Sequence, residues 1–292
     1  VLDEIKLAIQ TSEKPLIIAG RGILSSNSKE LLNDFIEVTN IPVVTSLNAV
    51  DAIPFNHKSR VGFIGSYGNR WANIALGNCD CLIVLGSRLD IRQTGAETDS
   101  FKAGKKIFHI DIEKGEINNR VKDCIAVNAD VKTFLTDAIK FYKDSEFETK
   151  QNWIDEINLL REKWPDTNEI HGIKGINPNQ FIHKLSKASH LAKGYSVDVG
   201  SHQMWAAQSV ELIENQFFIT SGGMGAMGYA FPATIGACFG ENSEPVVMIS
   251  GDGGFQLNIQ ELQTVKRNNL PLKLVILNNQ SLGMIRQFQD SY

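Results

Sequence analysis

Short runs of β-branched and apolar residues recur along this chain with helical patterns between them, and this alternation restricts the fold more than any other feature. Leu16-Ile17-Ile18-Ala19, Val43-Val44-Thr45, Cys81 to Leu85, Ile107 to Ile110 and Ile125 to Val127 read as strands, while Lys29 to Thr39, Trp71 to Gly77 and Lys132 to Lys143 read as helices. Strands that lack polar alternation and are separated by helices belong to a parallel sheet covered on both faces. The pattern returns later, with strands at Tyr195 to Val199, Phe217 to Thr220, Val246 to Ile249 and Leu272 to Leu277. A chain of 292 residues exceeds one hydrophobic core. The expectation is an α/β fold of two domains, each a parallel sheet flanked by helices.

The first domain reads as residues 1–145 and the second as 177–292, joined by a polar linker over 146–176. An amphipathic stretch around Trp153, Ile157, Leu160 and Trp164 within it predicts a helix draped on the surface. Asn177-Pro178-Asn179-Gln180 then supplies an N-cap, a proline at the first helical position and a glutamine two residues on, which start a new helix. The chain begins at Val1 without an initiator Met and stops shortly after an apparent binding loop, so both edges read as cuts.

Composition excludes more than it assigns. The formal charge of −4 carries no basic footprint, which argues against a nucleic-acid partner, and no apolar run approaches the roughly 20 residues of a membrane span. Cys79, Cys81, Cys124 and Cys238 sit without paired metal spacing, mostly in apolar runs, and read as reduced thiols in a cytoplasmic protein. His57, His109, His171, His183 and His190 have no partner spacing and read as structural.

The chemistry concentrates where Pro245 to Ser250 runs into Gly251-Asp252-Gly253-Gly254. Asp252 falls at a strand's carboxyl end, where open α/β sheets bind ligands, and glycines let the backbone approach one closely. A helix over Asn258 to Arg267, with Leu257, Leu262 and Val265 as its apolar positions, leads to the strand Leu272 to Leu277 and then Asn278-Asn279. One carboxylate and one amide are hard oxygen donors, few enough to suit Mg²⁺ shared with a phosphate-bearing ligand. The amides of Gly253 and Gly254 suit a diphosphate.

Gly251-Asp252-Gly253 through Asn278-Asn279-Gln280-Ser281-Leu282-Gly283-Met284 resembles the thiamine-diphosphate motif of acetolactate (acetohydroxyacid) synthases, and the resemblance spans almost the whole chain. It implies that Asp252, Asn279 and the Ser281 carbonyl hold Mg²⁺, that Gly253 and Gly254 bind the diphosphate, and that Met284 lies in the cofactor site. Ser221 to Pro232 carries Gly225 and Met227, which the resemblance assigns to the aminopyrimidine and to holding the bent cofactor. Val199-Gly200-Ser201-His202-Gln203 is similar to the other diphosphate loop; Ser201 stands where the family usually has Gln, and His202 becomes a diphosphate donor. Phe288 stands where these synthases usually carry the tryptophan that favours 2-oxobutyrate, and becomes a substrate-pocket residue.

The first domain is similar to the family's central Rossmann-like domain, which holds FAD in acetolactate synthases and lacks it in many relatives, so FAD stays open. The matching positions are Gly86, Arg88, Asp90, Arg92, Asp111 and Asp130. The resemblance implies a carboligase that decarboxylates pyruvate and joins the enamine to a second 2-oxo acid. It further implies a homodimer or homotetramer completed by a pyrimidine-binding domain with an activating glutamate that has no counterpart here, together with a regulatory subunit. A fragment without that glutamate is expected to be inactive. The competing readings are a related decarboxylase, hydrolase or ligase with another substrate, as in surface-sugar pathways, or a non-catalytic module that keeps the fold.

Overall fold

The computed structural model of the protein describes residues 1–168, 172, 174–241 and 244–291. His171 and part of the predicted linker lie outside the described residues. The chain forms two compact units, the first taking Val1–Ile53 and continuing from His57 through residue 168, the second taking Pro54–Asn56 and the described residues from 172 onward.

The first unit runs α1 (Leu2–Thr11), β1 (Pro15–Ala19), α2 (Arg21–Ser25), α3 (Lys29–Thr39), β2 (Val43–Thr45), β3 (Arg60–Phe63), α4 (Arg70–Asn78) and β4 (Cys81–Leu85). It continues with α5 (Ile91–Thr94), α6 (Thr98–Lys102), β5 (Lys106–Asp111), β6 (Ile125–Asn128), α7 (Val131–Tyr142) and α8 (Gln151–Lys163). Its six strands are all parallel in the order β3-β2-β1-β4-β5-β6, the doubly wound arrangement whose switch point lies between β1 and β4. Alternate residues of each central strand feed opposite layers. Ile17, Ile83 and Leu85 pack with Phe35, Phe134 and Tyr142, while Leu16, Ile18, Leu82 and Val84 pack with Trp71 and Trp153. Helix α3 shows the local logic: Leu32, Phe35, Ile36 and Thr39 recur at helical spacing, face inward and are buried, and the helix stops at Asn40 in the left-handed region at φ 56°. Burying a side chain such as Phe35 contributes about 1.5–3 kcal/mol.

The predicted linker helix is not draped on the surface. In α8, Trp153 is 1 % exposed and Ile157 3 %, and the Trp153 indole donates to the Pro15 carbonyl at 3.0 Å. The two apolar residues at i and i+4 are long enough to reach the strand layer, so burial outweighs the polar composition around them. Strand β3 and helix α1 were not evident in the sequence: β3 begins with Arg60 and contains Gly62, which mask its apolar character. Among the described residues no helix is long and apolar enough to cross a membrane.

The second unit comprises α9 (Pro178–Ala188), β7 (Gly194–Val197), α10 (Ser201–Ser209), β8 (Phe217–Thr220), α11 (Ala230–Gly240), β9 (Val246–Gly251), α12 (Asp252–Gln256), α13 (Leu262–Asn268), β10 (Leu272–Leu277) and α14 (Gly283–Ser291). Asn177 caps α9, its side chain accepting from the Gln180 amide at 3.0 Å, with Pro178 in the first turn. The four strands are parallel in the order β10-β9-β7-β8, and β9 is buried along its whole length. The helix expected over Asn258 to Arg267 is divided, with a 3₁₀ turn at Ile259–Glu261 before α13. Leu257 and Leu262 are 56 % and 40 % exposed; only Val265 of the three expected apolar positions packs on the core. All four cysteines are buried and free.

Candidate functional site

Strands β9 and β10 pair so that Leu277 stands opposite Gly251, which brings Asp252 and the Asn278-Asn279 pair to neighbouring carboxyl ends. Asp252 opens the short helix α12 rather than sitting in a loop, because the backbone turns directly from strand into helix at Gly251. After β10, Asn278 Oδ1 accepts from the Gln280 amide at 3.0 Å and Asn279 Oδ1 from the Ser281 amide at 3.1 Å. These successive side-chain turns, with Gln280 at φ 53°, fold the chain back so that α14 can begin at Gly283.

The ends of β7, β9 and β10 and the Gly225–Met227 turn surround a cavity of about 270 Å³. It gathers Gly200, Ser201, His202, Gly225 and Met227 with Asp252, Gly253, Gly254, Asn279, Ser281 and Met284, residues that are far apart in sequence. Phe288 is not on its wall: it lies on α14 and is 65 % exposed. Trp205 and Leu282 also line the cavity and were not anticipated.

A side chain is disfavoured at specific points here, most at Gly254, where the neighbour is a buried carboxylate, and less at Gly253, where exposed Leu282 can move aside. A Cβ at Gly254 would overlap Asp198 Oδ2, and one at Gly253 would come within 2.6 Å of Leu282 Cδ2. The turn before Met227 needs Gly225 at φ 73°. The backbone is thereby left uncovered where a ligand can approach it.

Among the described residues of this unit, the buried Asp198 Oδ1 and His202 Nε2 lack a partner. His202 is 6 % exposed, and burial pushes its imidazole down to about 4 despite the opposing pull of Asp198 and Asp252. The nearby Asp198 favours the protonated ring, and Nε2 has no partner among the described residues. A neutral imidazole carries one N–H, and only the protonated ring donates from both nitrogens. Asp198 is 1 % exposed and its Oδ2 accepts from the Gly228 amide at 3.1 Å and the Ser250 hydroxyl at 3.0 Å, tying three chain segments together beneath the cavity. It escaped the sequence reading, although the rule that singled out Asp252, an acid just beyond a buried strand, applies to it equally.

In the first unit, Gly86, Arg88, Asp90 and Arg92 follow β4, Asp111 closes β5 and Asp130 follows β6, so all six share one edge of the sheet. Most are engaged locally. Asp90 caps α5 by accepting from the Arg92 and Gln93 amides, Asp130 caps α7 by accepting from those of Lys132 and Thr133, and Asp111 accepts from the Glu113 amide. Gly86, at φ 60°, packs against Gly22, where a Cβ would meet the Gly22 Cα at 2.5 Å. Arg92 alone of the six lines the neighbouring cavity, of about 310 Å³. Of the remaining described histidines, His57 lies 3.9 Å from Glu37, His109 bonds the Ser87 carbonyl, His183 pairs with Glu211 at 2.8 Å, and His190 bonds the Lys187 carbonyl at 3.2 Å.

A glycine-rich edge of a parallel sheet, with a carboxylate and an amide at adjacent strand ends, defines a diphosphate-cofactor site of the α/β class. Comparison with known proteins gives the particular family. Residues 2–138 match the model of the thiamine pyrophosphate enzyme central domain, and residues 198–292 that of the C-terminal TPP binding domain. The chain belongs to the thiamine pyrophosphate enzyme family. It is similar to acetolactate synthase 2, chloroplastic, of Nicotiana tabacum, at 37 % identity over all of this chain and 44 % of the relative. The acetolactate synthase large subunit of Lactococcus lactis is 36 % identical over all of this chain and 50 % of its own length. That of Corynebacterium glutamicum is 37 % identical over 97 % of this chain and 46 % of its own. The chain spans about half the length of the curated relatives it matches.

Proposed function

We propose that this chain is the cofactor-holding part of an acetolactate-synthase-type carboligase, which decarboxylates pyruvate and joins the two-carbon product to a second 2-oxo acid. The convergence of Asp252, Asn279, Gly253, Gly254, His202 and Met227 on one cavity carries this reading. The donor set fits the expected groups: Asp252, Asn279 and the Ser281 carbonyl are hard oxygens for Mg²⁺, and the glycines leave room for a diphosphate. Thiamine diphosphate, when bound, supplies an electron sink for decarboxylation. The chain's own part is orientation. Met227 reaches Gly253 across the cavity, its Cε 3.7 Å from where a Cβ on that glycine would stand, and so is suited to hold a bent ligand. His202 gains its donor role when a neighbouring diphosphate favours the protonated ring.

Large apolar side chains of this unit are exposed, among them Met224, Leu282, Ile285 and Phe288. They support a covering protein surface, which in this reading is the pyrimidine-binding domain of a second subunit in a homodimer or homotetramer. The buried free thiols support a reducing, cytoplasmic setting. FAD in the first unit rests on the six residues gathered at one sheet edge, with Arg88 as a half-exposed cation beside Asp90. Denaturing the purified protein and looking for released flavin tests that part; a colourless supernatant removes it.

The central test is calorimetric titration of thiamine diphosphate into the protein with Mg²⁺, with a chelator, and with Asp252→Ala. Binding is expected only with the metal, and the substitution should weaken it at least about a hundredfold. Equal affinity in all three arms refutes the site.

A further inference from the structure

At the amino edge of the six-stranded sheet, opposite the strand ends that carry Gly86 and Asp111, a cavity of about 270 Å³ lies between α8 and the residues that lead into β2 and β3. Lys58, Arg60 and Arg161 stand on its wall, and no carboxylate among the described residues does. Arg60 is 6 % exposed and lines the cavity beside Arg161. Burial and the like charge of Arg161 push the Arg60 guanidinium down to about 10, with Asp166 opposing.

Arg161 is the less compensated of the two. Its Nη2 donates to the main-chain oxygens of Arg60 at 2.7 Å and Val61 at 3.0 Å, which uses both protons of that nitrogen. Burial lowers this guanidinium too, and no carboxylate among the described residues forms an ion pair with it. Nε and Nη1 keep N–H groups to give. Lys58, by contrast, already pairs with Glu37 at 2.9 Å and adds a donor more than a net charge.

Helix α8 turns Gln151, Ile154, Asn158 and Arg161 toward this cavity at spacings of three and four residues, as one helical face requires. Gln151, Asn158 and Ser59 offer neutral donors, and Ile154 and Pro42 an apolar patch. A half-buried cation without a counter-charge is costly unless an anion joins it. Neighbouring guanidiniums present planar forks that match the oxygens of a phosphate better than a lone carboxylate.

We infer that this cavity is an anion site for a phosphate group, free or on a small organic ester, held by Arg161 and Arg60 with Lys58 at its mouth. It is separate from the cofactor cavity, since all of its lining residues belong to the first unit. It needs neither the carboligase reading nor a flavin to hold.

The test is calorimetric titration of inorganic phosphate into the whole protein presaturated with thiamine diphosphate and Mg²⁺, at constant ionic strength. One saturable site per chain is expected, and Arg161→Gln should weaken it by about tenfold or more. Because Arg161→Gln also removes bonds to β3 and can unfold the unit, Lys58→Ala at the exposed mouth is measured beside it, with a loss of about threefold expected. Glycerol phosphate in place of phosphate separates the two sources: tighter binding assigns an ester, equal binding the free ion. Absence of saturable heat in the wild type, displacement by the cofactor, or unchanged affinity in folded Arg161→Gln and in Lys58→Ala overturns the proposal.

Discussion

The carboxyl edges of the two sheets are built from the same parts, glycines and carboxylates just beyond buried parallel strands, yet they end differently. In the first unit the strand-end loops close on each other. The Gly20 amide donates to the Leu85 carbonyl at 2.9 Å and the Gly22 amide to the Gly86 carbonyl at 3.0 Å, while Asp90 and Asp130 spend their oxygens on helix caps. In the second unit Gly200, Gly253 and Gly254 line the cavity together with His202, whose Nε2 is buried without a partner, as is Asp198 Oδ1. Buried polar groups are nearly always paired, so an orphaned one that also lines a cavity, as His202 does, points to a ligand; His109 Nδ1 in the first unit is orphaned too, but its residue lines neither that cavity nor the one beside Arg92. The contrast separates two meanings of one sequence signal.

Alanine at the two strand-end glycines tests that contrast most sharply. Gly254→Ala should displace Asp198, which ties Gly228 and Ser250 together, and so weaken thiamine diphosphate binding in the folded fraction as well as lower stability. Gly86→Ala, at φ 60° and against the Gly22 backbone, should cost about 2–4 kcal/mol in urea unfolding yet leave cofactor affinity intact in the folded fraction. If Gly86→Ala lowered cofactor affinity as much as Gly254→Ala, the distinction between closed and open edges would be lost.

Acid sensitivity comes next. His109 and His202 are each buried with one orphaned nitrogen, and burial lowers both below the ordinary 6.5, His202 to about 4. For a base depressed in the folded state, the unfolded chain takes up the proton first as pH falls. The contribution of His202 is therefore whole above pH 6.5 and is lost progressively as the pH drops toward 4, and that of His109 is lost in the same direction. For His202 the loss has an upper bound of about 3 kcal/mol. Urea midpoints of the metal-free protein across this range should fall with pH, and His109→Leu should remove only the first unit's share. A flat profile in the wild type contradicts the assigned burial.

Phe288→Trp is expected to have the smallest effect. The residue lies outside the cavity wall and is 65 % exposed, so its influence on the second substrate would pass through whatever packs on α14. In the intact enzyme the exchange should shift the product ratio from competing pyruvate and 2-oxobutyrate by about 1 kcal/mol toward 2-oxobutyrate. An unchanged ratio removes Phe288 from the specificity determinants.

Much of this molecule is legible in the order of its residues, for local reasons. Val43–Thr45, Cys81–Leu85 and Leu272–Leu277 are strands because β-branched and apolar residues run without alternation, and Lys29–Thr39 is a helix because its apolar residues repeat at helical spacing. Asp252 and Asn279 could be paired in advance because each follows a strand of the same sheet, and parallel neighbours end side by side. What required the tertiary structure was non-local. Trp153 reads as a surface residue in polar company until the Pro15 carbonyl is seen to accept its indole proton. Arg161 is one more cation on an amphipathic helix until β3 sets Arg60 beside it. Asp198 becomes informative only through what it lacks, and whether a buried atom has a partner depends on chain segments that meet from opposite ends of a domain. Local spacing determines which elements form; three-dimensional packing decides which polar groups are left over for a ligand.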